Sequence, residues 1–296
     1  MLKIAVSNPR LADFLLGLPV VQRFFVADLR ILAQLRSRHA REAVLERLVM
    51  ANGVVKTTRF DRFADLDQRT LALFTGWTGP LRVHDVAVSS GTTALRLYLR
   101  LREKFESVDL SISDKFARFH LSPGWINAVY DCEGKLIHGY VFGVYADPRI
   151  SWVFPLSRIL FHWLRRRRPT QPAVTDAVLV YDTSVLQALD AGKIKEVSYD
   201  ILRGAPLGSF DLVRAMNILH TGYFDRARLR TALDHIAATM NEGGVLLVGR
   251  SDQRSGINHA SFLRKQGPRF VVIENVNNGS DLVTALPDRI ISGVSR

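Results

Sequence analysis

Four short segments carry residue types that could hold a nucleotide-like ligand. The first is Asp85-Val86-Ala87-Val88-Ser89-Ser90-Gly91. Small side chains at Ala87, Ser89 and Gly91 let a ligand approach the backbone, and the N–H groups opening a following helix are ready donors. An ordinary strand-to-helix turn would use the same small residues. The second is Asp114, 23 residues beyond Gly91. An acid at the tip of a neighbouring strand can accept hydrogen bonds from two ribose hydroxyls, and it can equally cap a turn. The third is Ser198-Tyr199-Asp200-Ile201. A polar Asp200 can meet an adenine amino group while an apolar Ile201 covers the ring face; a plain turn at Asp200 is the other reading. The fourth runs from Phe210 to Leu219, with Tyr223-Phe224 beyond it. Asn217 falls at the carboxyl end of an apolar strand, where open α/β sheets bind ligands. Arg214 inside that strand is costly to bury unless it is paired. It can pair with an acid in the sheet or face a substrate.

These residues need a sheet to bring them together. Leu81 to Val88 has the pattern of a buried strand, Ala94 to Phe105 that of a helix, and Val108 to Ile112 that of a second strand. Strand, turn, helix, strand is the opening of a parallel α/β sheet. The rhythm resumes with a helix at Ser184 to Ala191 and a strand at Ile194 to Tyr199. A strand at Phe210 to Met216, a helix at Asp225 to Met240 and a strand at Val245 to Gly249 follow. Phe270 to Val276 and Asp281 to Leu286, joined by Asn277-Asn278-Gly279, predict a closing antiparallel pair. Residues 1–80 carry mainly helical spacing, from Val20 to Val49 and again from Asp65 to Phe74. Residues 115–178 interrupt the α/β rhythm as an insertion. They predict a hairpin of Trp125 to Tyr130 and Leu136 to Tyr145, then a helix from Phe154 to Arg168.

Composition bounds the class. The chain of 296 residues is 47% hydrophobic and 23% charged, which suits a globular protein with a sizeable core. The single cysteine, Cys132, cannot form an internal disulfide, and no Cys/His cluster suggests zinc, so no metal is expected. The opening residues do not resemble a signal peptide, and no run of about 18 apolar residues exists. A cytoplasmic protein is expected. The net charge of +12 favours anionic partners. The helix at 155–168 ends in Arg165-Arg166-Arg167-Arg168 and carries Trp163 and Phe161. It could lie on an anionic membrane surface, hold RNA phosphates, or be a docked helix with a solvated end. RNA is the least favoured of the three.

The run from Phe210-Asp211-Leu212-Val213 through Asn217-Ile218-Leu219, Tyr223-Phe224 and Gly243-Gly244-Val245-Leu246-Leu247-Val248-Gly249 resembles class I S-adenosylmethionine-dependent methyltransferases. Within them it is similar to the CheR-type protein-glutamate methyltransferases. The resemblance covers roughly residues 81–290. It implies a Rossmann-like, mostly parallel α/β sheet with a closing antiparallel strand, a helical N-terminal region (1–80) and a methyltransferase domain (81–296) holding the 115–178 insertion. It implies S-adenosyl-L-methionine as cofactor. Asp85 would be the acid of the cofactor loop, with Ala87, Ser89 and Gly91 at the family's glycine positions. Asp114 would hold the ribose, Asp200 and Ile201 the adenine, and Asn217 the methionine side. Arg214, Asn217 and Tyr223 would line the reacting end, with His220 and His259 as further candidates for a base. Two loop glycines are replaced, and the family's arginine before the asparagine is Met216 here. The methyl acceptor, a carboxylate, hydroxyl or amine, is not implied. A binding protein that kept the fold and lost catalysis is the rival reading. A nicotinamide-dependent oxidoreductase is a third, opposed by the Gly243-Gly244 turn and the closing hairpin.

Overall fold

The computed structural model describes residues 4–18, 21, 24–35, 40–41, 44, 61–122, 126–141, 144–146, 155–166, 177–205, 207–252 and 255–291. In chain order these form β1 (Ile4–Val6), α1 (Pro9–Leu16), β2 (Phe25–Ala27), a 3-10 helix (Leu29–Gln34), α2 (Ala64–Leu73), β3 (Leu81–Val86), α3 (Thr92–Arg102) and β4 (Val108–Ser113). Next come β5 (Arg118–Leu121), β6 (Ile126–Tyr130), β7 (Leu136–Val141), β8 (Val144–Ala146), α4 (Pro155–Arg166), β9 (Ala177–Leu179), α5 (Thr183–Asp190) and β10 (Lys195–Glu196). The chain closes with β11 (Phe210–Met216), α6 (Arg226–Ala238), β12 (Met240–Ser251), β13 (Asn258–Gln266), β14 (Arg269–Val276), α7 (Asp281–Ala285) and β15 (Ile290–Ile291).

Two compact units share the chain. The first combines residues 1–57 and 116–183; the second combines 58–115 and 184–296. In the first unit a seven-stranded sheet has the order β2-β1-β8-β7-β6-β5-β9. The expected hairpin is present as β6 and β7, paired antiparallel around a turn. Asp131 holds that turn by accepting hydrogen bonds from the Glu133 and Lys135 N–H groups at 2.9 Å each. The N-terminal segment extends the same sheet: β1 pairs with β8 and with β2. Among the described residues of 1–80, helices α1 and α2 and a 3-10 helix outweigh these two short strands, which the helical spacing did not predict. Phe25–Ala27 is a strand and Leu29–Gln34 a 3-10 helix, inside a stretch whose apolar spacing suggested one long α-helix. Asp28 separates them by capping the 3-10 helix, accepting from the Arg30 N–H at 3.0 Å. Parts of the 20–49 stretch lie outside the described residues.

The second unit is Rossmann-like. Its sheet has the order β10-β4-β3-β11-β12-β13-β14-β15. Strands β10, β4, β3, β11 and β12 are parallel neighbours. β13 runs antiparallel to both β12 and β14, and β15 runs parallel to β14. Among the described residues β13 is therefore the one strand of this sheet running against the others, and it supplies the antiparallel closure. The expected closing pair is corrected in its second member. Asp281–Ala285 is helix α7, capped by Ser280 accepting from the Leu282 N–H, and β14 pairs instead with β13. Leu282 and Leu286 are buried in the core, four residues apart, a helical spacing too short to dominate the sequence pattern.

Local chemistry explains the supporting elements. Every residue of β11 is buried, as a central parallel strand covered on both faces requires. Asp225 caps α6 by accepting from the Arg228 N–H at 2.8 Å. Leu229, Ala232, Leu233 and Ile236 then face the core at helical spacing. Gly249 lets β12 and β13 meet: a Cβ there would lie 2.3 Å from the His259 carbonyl oxygen.

Candidate functional site

From β3 the chain builds outward to β4 and β10 on one side, then returns to β11 and β12 on the other. The reversal falls between β3 and β11. In open α/β sheets this switch point, at the carboxyl ends of the strands, is where ligands bind. Ala87, Ser89, Gly91, Asp114 and Asn217 all follow the carboxyl ends of β3, β4 or β11.

The loop after β3 has an unusual backbone. Ala87, Ser89 and Gly91 have φ values of +60°, +58° and +78°. These are the three alternate positions singled out for small residues. Glycine enters this region freely, whereas an L-residue there costs about 1–2 kcal/mol. The loop thus keeps a glycine-type conformation with two non-glycine residues in it. Gly91 has a second constraint: a Cβ would come within 2.9 Å of Val185 Cγ1 on α5. The Ser89 N–H donates to Asp114 Oδ2 at 2.7 Å, tying the loop to the end of β4. The buried Ser89 hydroxyl has no hydrogen-bond partner among the described residues.

Beneath the loop lies a buried ionic cluster. Asp85 accepts from Arg214 Nε at 3.1 Å and from a second guanidinium nitrogen. Arg214 Nη1 also donates to Asp67 Oδ1 at 2.8 Å. All three side chains are almost fully enclosed. Burial works against the Arg214 charge, but the two carboxylates outweigh it and hold the guanidinium protonated. Burial pushes the Asp67 carboxyl up to about 6, against the pull of Arg214. Burial likewise pushes the Asp85 carboxyl up. The expectation that Arg214 lines the reacting end is therefore corrected: both acids enclose it, and it is 1% exposed. Asp85 belongs to this cluster through its side chain and to the loop through its backbone. Asp67 was missed from sequence. Its one signal is an acid beside Leu66 and Thr70, two inward-facing residues of α2.

Asn217 stands on the other side of the switch point. It too is left-handed, with φ +60°. Its N–H donates to the Gly249 carbonyl at 2.7 Å, and its Oδ1 accepts from the Ser251 N–H at 2.8 Å. One side chain thus ties the ends of β11 and β12. Beyond it, Tyr223 is 42% exposed and its ring lies 4.1 Å from that of His220. His220 Nδ1 accepts from the Gly222 N–H at 3.1 Å, which places the neutral ring's proton on Nε2. Burial holds His220 below the usual histidine range. A neutral His220 of this tautomer offers a donor at Nε2 rather than a base. His259 lies on β13 beside Gly249 and accepts from the Asn278 N–H at 3.4 Å.

Asp200 heads a turn. It accepts from the Leu202 N–H at 3.0 Å and pairs with Lys115 Nζ at 3.2 Å. Ile201 is buried in the core. A further polar pair was not foreseen: His84 on β3 meets the Ser113 hydroxyl at 2.9 Å, under the rings of Tyr199 and Phe210. Burial lowers His84 to about 4 and raises Tyr199 to about 12.

No protein-family model and no curated protein matches this chain. Solved structures of methyltransferases do. One described as PigF with SAH is 13% identical, over 74% of this chain and 42% of its own, at a TM-score of 0.31. An O-methyltransferase family protein from Burkholderia thailandensis is 16% identical, over 74% of this chain and 44% of its own, at 0.32. The N-methyltransferase NodS from Bradyrhizobium japonicum, in complex with S-adenosyl-L-homocysteine, is 15% identical, over 73% and 76%, at 0.32. The chain thus spans less than half the length of the first two.

Proposed function

We propose that the second unit binds S-adenosyl-L-methionine at the carboxyl ends of β3, β4 and β11 and transfers its methyl group to an acceptor. The observation that carries this reading is the left-handed backbone at Ala87, Ser89 and Gly91, beside the switch point. Strained backbone persists where the surroundings hold it, and such places cluster at ligand sites. The unpartnered Ser89 hydroxyl fits a polar ligand at the same loop. Asp114 would hold the ribose, Asp200 and Ile201 would flank the adenine, and Asn217 would meet the methionine end. The likeness of Phe210 to Gly249 to the CheR-type enzymes supports the same placement.

When bound, the cofactor supplies a methyl group already activated by a sulfonium. The protein's task is then to position the two partners in line. Asn217, fixed by Ser251, orients one side. Tyr223 borders the acceptor side, with His220 Nε2–H as a donor. The buried Arg214 cluster acts by holding β3, β11 and α2 together, away from the reacting atoms.

Calorimetry with S-adenosylmethionine, S-adenosylhomocysteine and NADH tests this. Binding of both sulfur compounds and not of NADH is expected, and Asp114→Ala should weaken it at least about tenfold, the loss of a charge-assisted hydrogen bond. Absence of heat at millimolar concentration would refute the reading. The alternative of a binding protein without catalysis is favoured by one observation, the two non-glycine residues in the loop. It predicts full binding with no methyl transfer to any acceptor offered.

A further inference from the structure

The first unit carries most of the charge excess. Its 125 residues hold 17 Lys and Arg against 9 Asp and Glu, whereas the other 171 residues hold 23 against 19. Two thirds of the net charge of +12 therefore belongs to the unit without the candidate site. The same unit holds seven of the twelve large hydrophobic residues left exposed among the described residues: Ile4, Leu11, Phe14, Leu18, Phe24, Leu156 and Ile159.

Helix α4 joins both properties. Ser157, Phe161 and Leu164 are buried on its inner face, and Phe161 and Leu164 pack with Val141 and Ala146. Leu156 and Ile159 point outward, 50% and 61% exposed. Trp163 is partly buried beside them, and Arg165 and Arg166 are exposed at the helix end. Arg167 and Arg168 continue the basic run in the sequence and lie outside the described residues. An apolar outer face backed by cations would be a liability in water alone. It matches a surface that is anionic outside and apolar beneath. No helix among the described residues is long and apolar enough to cross a membrane.

We infer that the outer face of α4 docks this protein on a bilayer of anionic phospholipid, with Leu156 and Ile159 in the acyl boundary and the arginines at the headgroups. A second copy of the chain would cover the apolar residues but would meet the same positive charge. Lipid satisfies both halves of the face. The inference is independent of the methyltransferase reading.

The test is co-sedimentation of the full chain with vesicles of phosphatidylcholine alone and with about one third phosphatidylglycerol. Pelleting with the anionic vesicles only, falling as salt is raised, is expected. R165Q/R166Q should weaken the partition roughly thirtyfold, at about fivefold per arginine near an anionic surface. L156S/I159S should weaken it by at least about tenfold. All four side chains are exposed, so circular dichroism and the thermal midpoint should not change. Failure of the wild type to pellet with anionic vesicles would overturn the inference, whether or not it binds RNA. So would equal pelleting of both variants, or pelleting that follows self-association which L156S/I159S abolishes.

Discussion

The loop after β3 and the turn after β11 face the same switch point but are held by different means. At β3 the conformation is stored in the backbone: Ala87 and Ser89 are left-handed, and the Ser89 N–H donates to the Asp114 carboxylate at the end of the next strand. At β11 it is stored in a side chain: Asn217 is left-handed and its own amide oxygen ties the strand to Ser251. A site built from backbone tolerates changed side chains as long as the strain is met elsewhere. A site built from a side chain does not.

The sharpest challenge to this contrast is the ionic cluster beneath the loop. Asp85→Ala leaves Arg214 with one carboxylate in a dry interior and should cost about 3–5 kcal/mol, measured by urea denaturation. A loss below about 1 kcal/mol would mean that the cluster does not support the loop. Gly91→Ala adds a Cβ against Val185 at a positive φ and should cost about 2–3 kcal/mol, with Val185→Ala restoring part of it. No recovery in the double variant would assign the whole cost to φ.

The cluster also has a pH signature. Asp67 is raised from 3.8 to about 6, so its protonated form is favoured in the folded state. Its contribution is full below about pH 3.8 and is lost as pH rises through about 6. Relative to Asp67→Asn, the wild type should gain on the order of 1–3 kcal/mol as pH falls from 7 to 4. His84 works the other way. Its depressed value, about 4 against 6.5, gives stability present above pH 6.5 and lost as pH falls through 4. A pH-independent difference between wild type and Asp67→Asn would refute the Asp67 assignment.

The smallest effect separates the two loops most directly. Ser89→Gly relieves a left-handed serine and should be neutral or stabilising by about 1 kcal/mol. Asn217→Gly relieves the same φ but removes the bond to Ser251, and should destabilise by about 1 kcal/mol. Equal signs in thermal unfolding would erase the distinction between backbone and side-chain storage.

Legibility in the sequence followed the same divide. β11 and α6 were plain, because a buried run and a capped amphipathic helix are local patterns. The positions of Ala87, Ser89 and Gly91 were found by their size, but their φ values are not written in residue type. The partnership of Arg214 with Asp67 was hidden by a separation of 147 residues and by α2 standing outside the α/β rhythm. β13 was missed because Ala260, Ser261, Phe262 and Leu263 are all buried, so no alternation marks the strand. The strand at Phe25–Ala27 was masked by apolar spacing that suits either element.

The eight-stranded sheet ends, among the described residues, on two strands of two residues each, Lys195–Glu196 and Ile290–Ile291. Each edge strand itself offers few ladder groups, and one of them, Lys195–Glu196, carries opposite charges side by side. Very short and charged edge strands of this kind discourage pairing with a strand from another molecule.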